Sequence, residues 1–119
     1  MNSRELGAWG EKMAAGYLEG KGYTVLEMNY RTRFGEIDIV AELDRFIVFA
    51  EVKLRKNRSY AHGREYVSAA KQRKIIAAAQ SWILENSCRK QPRFDVIEVY
   101  APFAENTQRL EIVHIDNAF

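Results

Sequence analysis

The chain is poor in the residues that mark secreted and membrane-bound proteins. Its 119 residues include one cysteine and two prolines. Because Cys88 has no second cysteine to pair with, we expect a reducing, cytoplasmic setting. The longest apolar runs, Phe46–Ala50 and Ile75–Ala79, are far shorter than the roughly 20 residues that span a membrane. The first residues also lack the basic stretch and apolar core of an export signal. We therefore expect no membrane partner.

What is present is typical of a folded domain. Hydrophobic residues make up 47% of the chain and aromatic residues 12%. A chain of this length buries roughly two-thirds of the surface that its unfolded form exposes, which is enough for one core without disulfides. We therefore expect a single domain over residues 1–119.

Charge is distributed unevenly along the chain. The formal net charge is +2, but residues 1–50 carry −2, residues 51–93 carry +8 and residues 94–119 carry −4. A basic segment attracts phosphate backbones, although a solvated basic face gives the same pattern. The cations that we expect to contact nucleic acid are Arg33, Arg55, Lys56, Arg58, Lys71, Arg73 and Lys74.

The pattern of apolar residues predicts a mixed α/β fold. Asn2 and Glu5 suit a capping box, and helical spacing continues from them to Gly22. A second amphipathic helix begins after Ser68, and a polar loop precedes it. The predicted strands are Tyr23–Tyr30, Glu36–Leu43, Phe46–Leu54, Phe94–Tyr100 and Leu110–Ile115. This order predicts a mixed central sheet flanked by helices, with the fourth strand parallel to the third.

The second and third predicted strands form a hairpin whose register can be worked out. A tight turn at Asp44 and Arg45 makes one face of the hairpin wholly apolar, as a core-facing side requires. On the other face the same register places Asp38 opposite Glu51. It also places Glu36 opposite Lys53, so three carboxylates and one ammonium group meet on one patch.

Opposed carboxylates destabilise a sheet unless something compensates their charge. A Mg²⁺ or Mn²⁺ ion with oxygen ligands would do so. A salt-bridge network of Lys53 with Arg33 or Arg55, without an ion, explains the pattern equally well. A metal ion beside an ammonium group is suited to phosphodiester hydrolysis. The basic segment begins at this same patch.

The residues at this patch resemble a known motif. Asp38 followed by Glu51-Val52-Lys53 is similar to the PD-(D/E)XK motif of restriction-endonuclease-like nucleases. More closely, the chain resembles the YraN-like family of small uncharacterised bacterial proteins, which are distantly similar to archaeal Holliday junction resolvases. The matching segments are Gly10-Glu11 with Ala14 and Tyr17-Leu18, Arg33 with Gly35-Glu36-Ile37-Asp38, Glu51-Val52-Lys53, Lys71-Gln72-Arg73 and Arg93-Phe94-Asp95-Val96.

This resemblance implies a fold and a set of site residues. The fold would be a restriction-endonuclease-like αβββαβ core. Asp38 and Glu51 would be metal ligands, the carbonyl of Val52 a third ligand, and Lys53 the catalytic lysine. Ile37 stands where the motif has its proline.

Two further residues have a role only by this resemblance. Glu11 borders the apolar stripe of the first helix, and in the resolvase-like relatives a first-helix glutamate joins the metal site; a carboxylate at the rim of the helix is an equally good interpretation. Gln72 would contact the scissile phosphate, although an exposed helix glutamine is the commoner case. Tyr60 and Tyr66 flank the basic loop, where stacking on unpaired bases and ordinary packing are both compatible with the sequence.

The leading hypothesis is a metal-dependent nuclease that hydrolyses DNA, with branched or structured DNA as its substrate. The alternative is a nucleic-acid-binding or assembly module that has this fold and no catalysis. A protein-interaction domain is a third interpretation. One subunit of this size covers little duplex, so cutting both strands would need a homodimer.

Overall fold

A computed structural model describes residues 1–57 and 67–119. The predicted contacts of Arg58, Tyr60 and Tyr66 lie outside the described residues. The helices are α1 (Ser3–Gly20) and α2 (Ala69–Glu85), and the strands are β1 (Thr24–Arg31), β2 (Glu36–Leu43), β3 (Phe46–Arg55), β4 (Gln91–Tyr100) and β5 (Glu111–Ile115). A short 3-10 helix, Ala104–Asn106, lies between β4 and β5.

The five strands form one mixed sheet in the order β1-β2-β3-β4-β5. β3 and β4 pair in parallel, and the other neighbours pair antiparallel. This confirms the predicted mixed α/β sheet with its parallel return of the fourth strand. The order of helices and strands is compatible with a restriction-endonuclease-like core. Neither of the helices in the described part of the chain is long and apolar enough to cross a membrane.

Both helices begin where the sequence predicts. The Asn2 side chain accepts a hydrogen bond from the Glu5 N–H at 2.8 Å, and the Glu5 carboxylate accepts one from the Asn2 N–H at 3.2 Å. This capping box satisfies N–H groups that the first turn of a helix leaves without partners. The Ser68 hydroxyl accepts a bond from the Lys71 N–H at 3.1 Å and caps α2 in a similar way.

The two helices cover opposite faces of the sheet. α2 packs Ile75 and Trp82 against a cluster that includes Phe49. α1 packs Ala14 and Leu18 against the alternate residues of the same strands, which are Ile39, Ala41, Ala50, Ile97 and Val99. Because side chains alternate across a strand, the sheet is buried on both sides in the middle of the molecule.

β4 begins three residues earlier than the sequence predicts, at Gln91, and so includes Pro92. Proline lacks the N–H that a central strand needs, which argues against a strand at this position. Here β5 pairs with β4 only between Val96 and Tyr100. The first half of β4 therefore has β3 as its one paired neighbour, and a proline is tolerated there.

Candidate functional site

The candidate site lies where the β2–β3 hairpin opens. The predicted register holds from Leu43–Phe46 to Ile39–Ala50. Beyond that point, within strands that are fully described, the backbone pairing does not continue to Asp38 and Glu51. Instead, the Asp38 carboxylate accepts a hydrogen bond from the Val52 N–H at 2.7 Å. A side chain has taken the place of a main-chain acceptor, and the two strands separate around it.

Glu36 does not face Lys53, as the extended register would require. Its carboxylate lies 3.1 Å from the Arg31 guanidinium, on the neighbouring strand β1, and both side chains are largely exposed. Arg31 and Glu36 are directly paired across β1 and β2. A cross-strand partner of opposite charge therefore holds Glu36, and its predicted position opposite Lys53 is corrected.

Glu51 is the centre of a charged cluster. It is a buried carboxylate on β3, with 6% of its surface exposed. The ammonium group of Lys71, in the first turn of α2, lies 2.5 Å from Glu51 Oε1, and that of Lys53 lies 3.6 Å from the same atom. Strand β3 and helix α2 thus bring two lysines to one carboxylate.

The two lysines respond differently to this setting. Burial lowers the pKa of Lys53, and the neighbouring Lys71 charge lowers it further. Burial also opposes the charge of Lys71, but its hydrogen bond to Glu51 and the attraction of that carboxylate raise its pKa overall. Lys71 is therefore the firm counter-ion of Glu51, and Lys53 is the more easily deprotonated amine.

The pKa of Asp38 is raised far above its usual range. Its pKa moves from 3.8 to about 7, first because of burial and then because of the Glu51 charge, with Glu11 adding a smaller effect. The bond from the Val52 N–H lowers the pKa and only partly offsets this. Glu11 of α1 is hydrogen-bonded to Asp38, so helix α1 does bring its border carboxylate to the site. The carboxylates of Glu11, Asp38 and Glu51 therefore lie close together.

Sequence reasoning missed a further buried acid, Glu98. It is 2% exposed and lies on β4 directly beside Lys53 of β3. Arg55 approaches it at 3.4 Å, and the Tyr100 hydroxyl donates a hydrogen bond to it at 3.1 Å. The available signal was an acidic residue between two apolar neighbours, Ile97 and Val99, on a central strand. Arg55, predicted to contact nucleic acid, is thus an ion-pair partner within the protein.

The other predicted binding residues lie around this cluster. The Gln72 amide donates to the Val67 carbonyl at 3.1 Å, so it ties α2 to the residue before its cap. The Arg33 guanidinium lies 4.9 Å from the centre of the Phe34 ring. Lys56, Arg73 and Lys74 are exposed.

The carboxylates supply a partial set of metal ligands. In residues 1–57 and 67–119, no group of three or more histidine, cysteine or acidic side chains is arranged to hold a metal ion. Mg²⁺, however, is usually held by one or two carboxylates and completes its shell with water and substrate phosphates. Asp38 and Glu51 fit that smaller set, and part of the rise in the pKa of Asp38, after burial, comes from the Glu51 charge, which a cation would compensate.

A second buried cluster lies on the α1 side of the sheet. Asp95 is fully buried and accepts hydrogen bonds from Arg93 at 2.7 and 2.9 Å and from the Asn117 N–H at 3.0 Å. His114 Nε2 lies 2.7 Å from Asp95 Oδ2, the oxygen that also accepts the shorter bond from Arg93. Although burial opposes ionisation, the bonds from His114, Arg93 and Asn117 hold the pKa of Asp95 below its ordinary value. This cluster fastens β5 and the C-terminal residues to β4.

Asp38 makes stability depend on pH in a defined direction. Its pKa is raised in the folded protein, so its contribution to stability is present below pH 4 and is lost as the pH rises to about 7. We expect wild type to lose stability relative to Asp38→Asn over this range, by up to about 4 kcal/mol. Urea unfolding with EDTA at several pH values measures this difference. Parallel pH curves for the two proteins would contradict it.

Comparison with known proteins places the chain among relatives of the same length. The profile of the uncharacterised protein family UPF0102 matches residues 10–99. A UPF0102 protein of Clostridioides difficile strain 630 is 46% identical over 120 residues, covering all of both chains. One of Syntrophotalea carbinolica is 46% identical over 115 residues, covering 96% of this chain and 90% of the relative. One of Caldanaerobacter subterraneus is 42% identical over 123 residues, covering 100% of this chain and 98% of the relative. The chain therefore belongs to the UPF0102 family, the YraN-like proteins.

Proposed function

We propose that this protein is a metal-dependent nuclease that hydrolyses phosphodiester bonds in DNA. The observation that carries the proposal is the meeting of Asp38 and Glu51 at the open end of the hairpin, with Lys53 and Lys71 against Glu51. Paired carboxylates beside an ammonium group are the parts of a PD-(D/E)XK site. The exposed cations Lys56, Arg73 and Lys74 would attract the phosphate backbone.

In this proposal, Asp38 and Glu51 hold Mg²⁺ or Mn²⁺, with the Val52 carbonyl as a further oxygen ligand. When bound, the ion would polarise a phosphoryl oxygen and lower the pKa of a water molecule. The donor set suits a hard cation, since all three atoms are oxygens.

The protein's own residues would supply the rest of the chemistry. Lys53, whose pKa is lowered by burial, would orient the attacking water and stabilise the negative charge that develops on the phosphate. The Lys53 ammonium group lies 3.6 Å from Glu51 Oε1. Lys71, whose ammonium is more strongly held, would bind a phosphate oxygen from the first turn of α2. Glu11 would add a further carboxylate to the site, beside Asp38.

One observation favours a second candidate function, a nucleic-acid-binding module without catalysis. Lys71 lies 2.5 Å from Glu51, so the protein already provides a counter-ion for the most buried acid of the site. An ion would have to compete with this contact. A module of this kind would bind DNA in a salt-dependent way and cleave none in any metal.

Calorimetric titration of Mn²⁺ distinguishes the two candidates before a substrate is known. We expect one binding site in wild type and at least about tenfold weaker binding in Asp38→Asn, because a ligand oxygen is replaced by an amide. Glu42→Gln is a matched control: Glu42 lies on the same strand, but its carboxylate pairs with Lys90 at 3.2 Å. Equal heats in all three proteins, or none in wild type, would contradict the metal site.

A further inference from the structure

The turn that joins β1 to β2 is held rigidly by one threonine. The Thr32 hydroxyl accepts hydrogen bonds from the N–H groups of Phe34 at 3.0 Å and Gly35 at 3.2 Å, and it donates to the Gly35 carbonyl at 3.1 Å. The Thr32 N–H also donates to that carbonyl at 2.8 Å. Residues 32–35, the Arg33–Phe34 turn, therefore present two side chains at a fixed tip.

The Arg33–Phe34 turn packs closely against α2, the helix that carries Lys71. A Cβ atom added at Gly35 would lie 2.8 Å from the main-chain oxygen of Lys74. Only glycine permits so close an approach of the turn to α2. The position of the Arg33–Phe34 turn is thus coupled to the helix whose first turn reaches Glu51.

The aromatic ring of Phe34 and the guanidinium group of Arg33 lie together at the tip of the turn. Phe34 is 48% exposed, and the Arg33 guanidinium carbon lies 4.9 Å from its ring centre. About half of the Phe34 surface thus stays in contact with water after folding, and that apolar area is available to a partner. Aromatic rings paired with cations are the groups on which unpaired nucleic-acid bases stack.

Two adjoining clefts connect this tip with the candidate site. One of about 360 Å³ is lined by residues 31–36 and Lys74. The next, of about 290 Å³, shares Gly35, Glu36 and Lys74 and continues to Lys71. The lining cations are Arg31, Arg33, Lys71 and Lys74, and the single acid is Glu36, which Arg31 already pairs. The surface that leads from Phe34 to the site is therefore positive.

We infer that the Arg33–Phe34 turn binds an unpaired base of a DNA substrate beside the site. Phe34 stacks on the base, and Arg33 and Lys74 bind the flanking phosphates. A base within a duplex has both faces covered by its neighbours, so only an unpaired base can accept a ring at the protein surface. The inference rests on the proposed function and adds to it a preference for DNA with unpaired bases.

Binding measured in EDTA tests this inference without cleavage. The probes are a DNA duplex with one bulged 2-aminopurine, whose fluorescence falls when it is stacked, and the same duplex fully paired. We expect Phe34→Ala to weaken binding of the bulged duplex about tenfold and to abolish the quenching, with binding of the paired duplex unchanged. Phe34→Leu keeps apolar volume but lacks the ring, and we expect the same loss.

Phe103→Ala is the matched control, because Phe103 is 73% exposed and lies in the loop after β4. It should bind both duplexes as wild type does. Equal losses for Phe34→Ala and Phe103→Ala, equal losses on both duplexes, or no binding by wild type would overturn the inference. None of these results decides the nuclease proposal, which depends on metal binding and cleavage.

Discussion

Lys53→Ala is expected to lower the rate of Mg²⁺- or Mn²⁺-dependent DNA cleavage by a factor of about 10²–10⁴, the range for losing a catalytic group that acts on a reacting proton or a developing charge. Asp38→Ala is expected to remove cleavage altogether, because the metal loses a ligand. Lys53 has a lowered pKa and lies 3.6 Å from the Glu51 carboxylate, so its replacement removes the ammonium group beside the proposed metal ligand. Nicking of supercoiled plasmid measures both losses.

The control for this prediction is Lys90→Ala. Lys90 is also a lysine that pairs with a glutamate, Glu42, but it lies at the turn end of the hairpin. We expect it to cleave like wild type. Cleavage that persists in both Lys53→Ala and Asp38→Ala would place the activity elsewhere. Salt-dependent binding without any cleavage by wild type would support the binding module instead.

Asp95→Asn is expected to destabilise the protein by about 3–5 kcal/mol, the range for a buried ion pair that loses one member. The substitution barely changes side-chain volume, so no cavity contributes. It leaves the Arg93 guanidinium, whose side chain is 10% exposed, without its carboxylate. It also turns an amide N–H₂ toward donors that need an acceptor. Guanidinium chloride unfolding at pH 7 measures the loss.

Asp44→Asn makes the same chemical change at an exposed position. Asp44 has a φ of 52° in the β2–β3 turn, a conformation that asparagine adopts readily. We expect its unfolding free energy to stay within about 0.5 kcal/mol of wild type. Similar losses in both variants would show that the Asp95 cluster contributes no more than a surface turn. Cleavage by folded Asp95→Asn should be retained, since Asp95 belongs to the cluster on the α1 side of the sheet.

Local patterns predicted most of the fold. The β2–β3 register followed from the apolar face and the turn at Asp44, and it holds as far as Ile39–Ala50. It could not be extended to Asp38, because the carboxylate competes with the backbone for the Val52 N–H. The alternation of apolar and polar residues along a strand gives no sign of this competition. The starts of α1 and α2 were predictable, since capping depends on residues a few positions apart.

The sequence predicted the candidate site residues on β2 and β3 better than it predicted the residues that contact them. Asp38, Glu51 and Lys53 were chosen from the motif and from a strand pairing that in the structure stops at Ile39–Ala50. The Lys71–Glu51 contact depends on how α2 lies on the sheet. Glu36 was misplaced because the β2–β3 pairing ends at Ile39–Ala50, and Glu36 instead pairs with Arg31 of β1. Glu98 could be noticed as an acid between Ile97 and Val99, but its contacts with Arg55 and Tyr100 could not be predicted.

The parallel pairing of β3 with β4 has a consequence for how the protein is made. Hairpin β2–β3 is complete early during synthesis, yet its neighbour β4 reaches it only after α2 has crossed the sheet, and Lys53 then aligns with Glu98. Long-range parallel pairing forms slowly. A nascent chain that ends before β4 therefore displays the unpaired edge of β3, which is largely apolar.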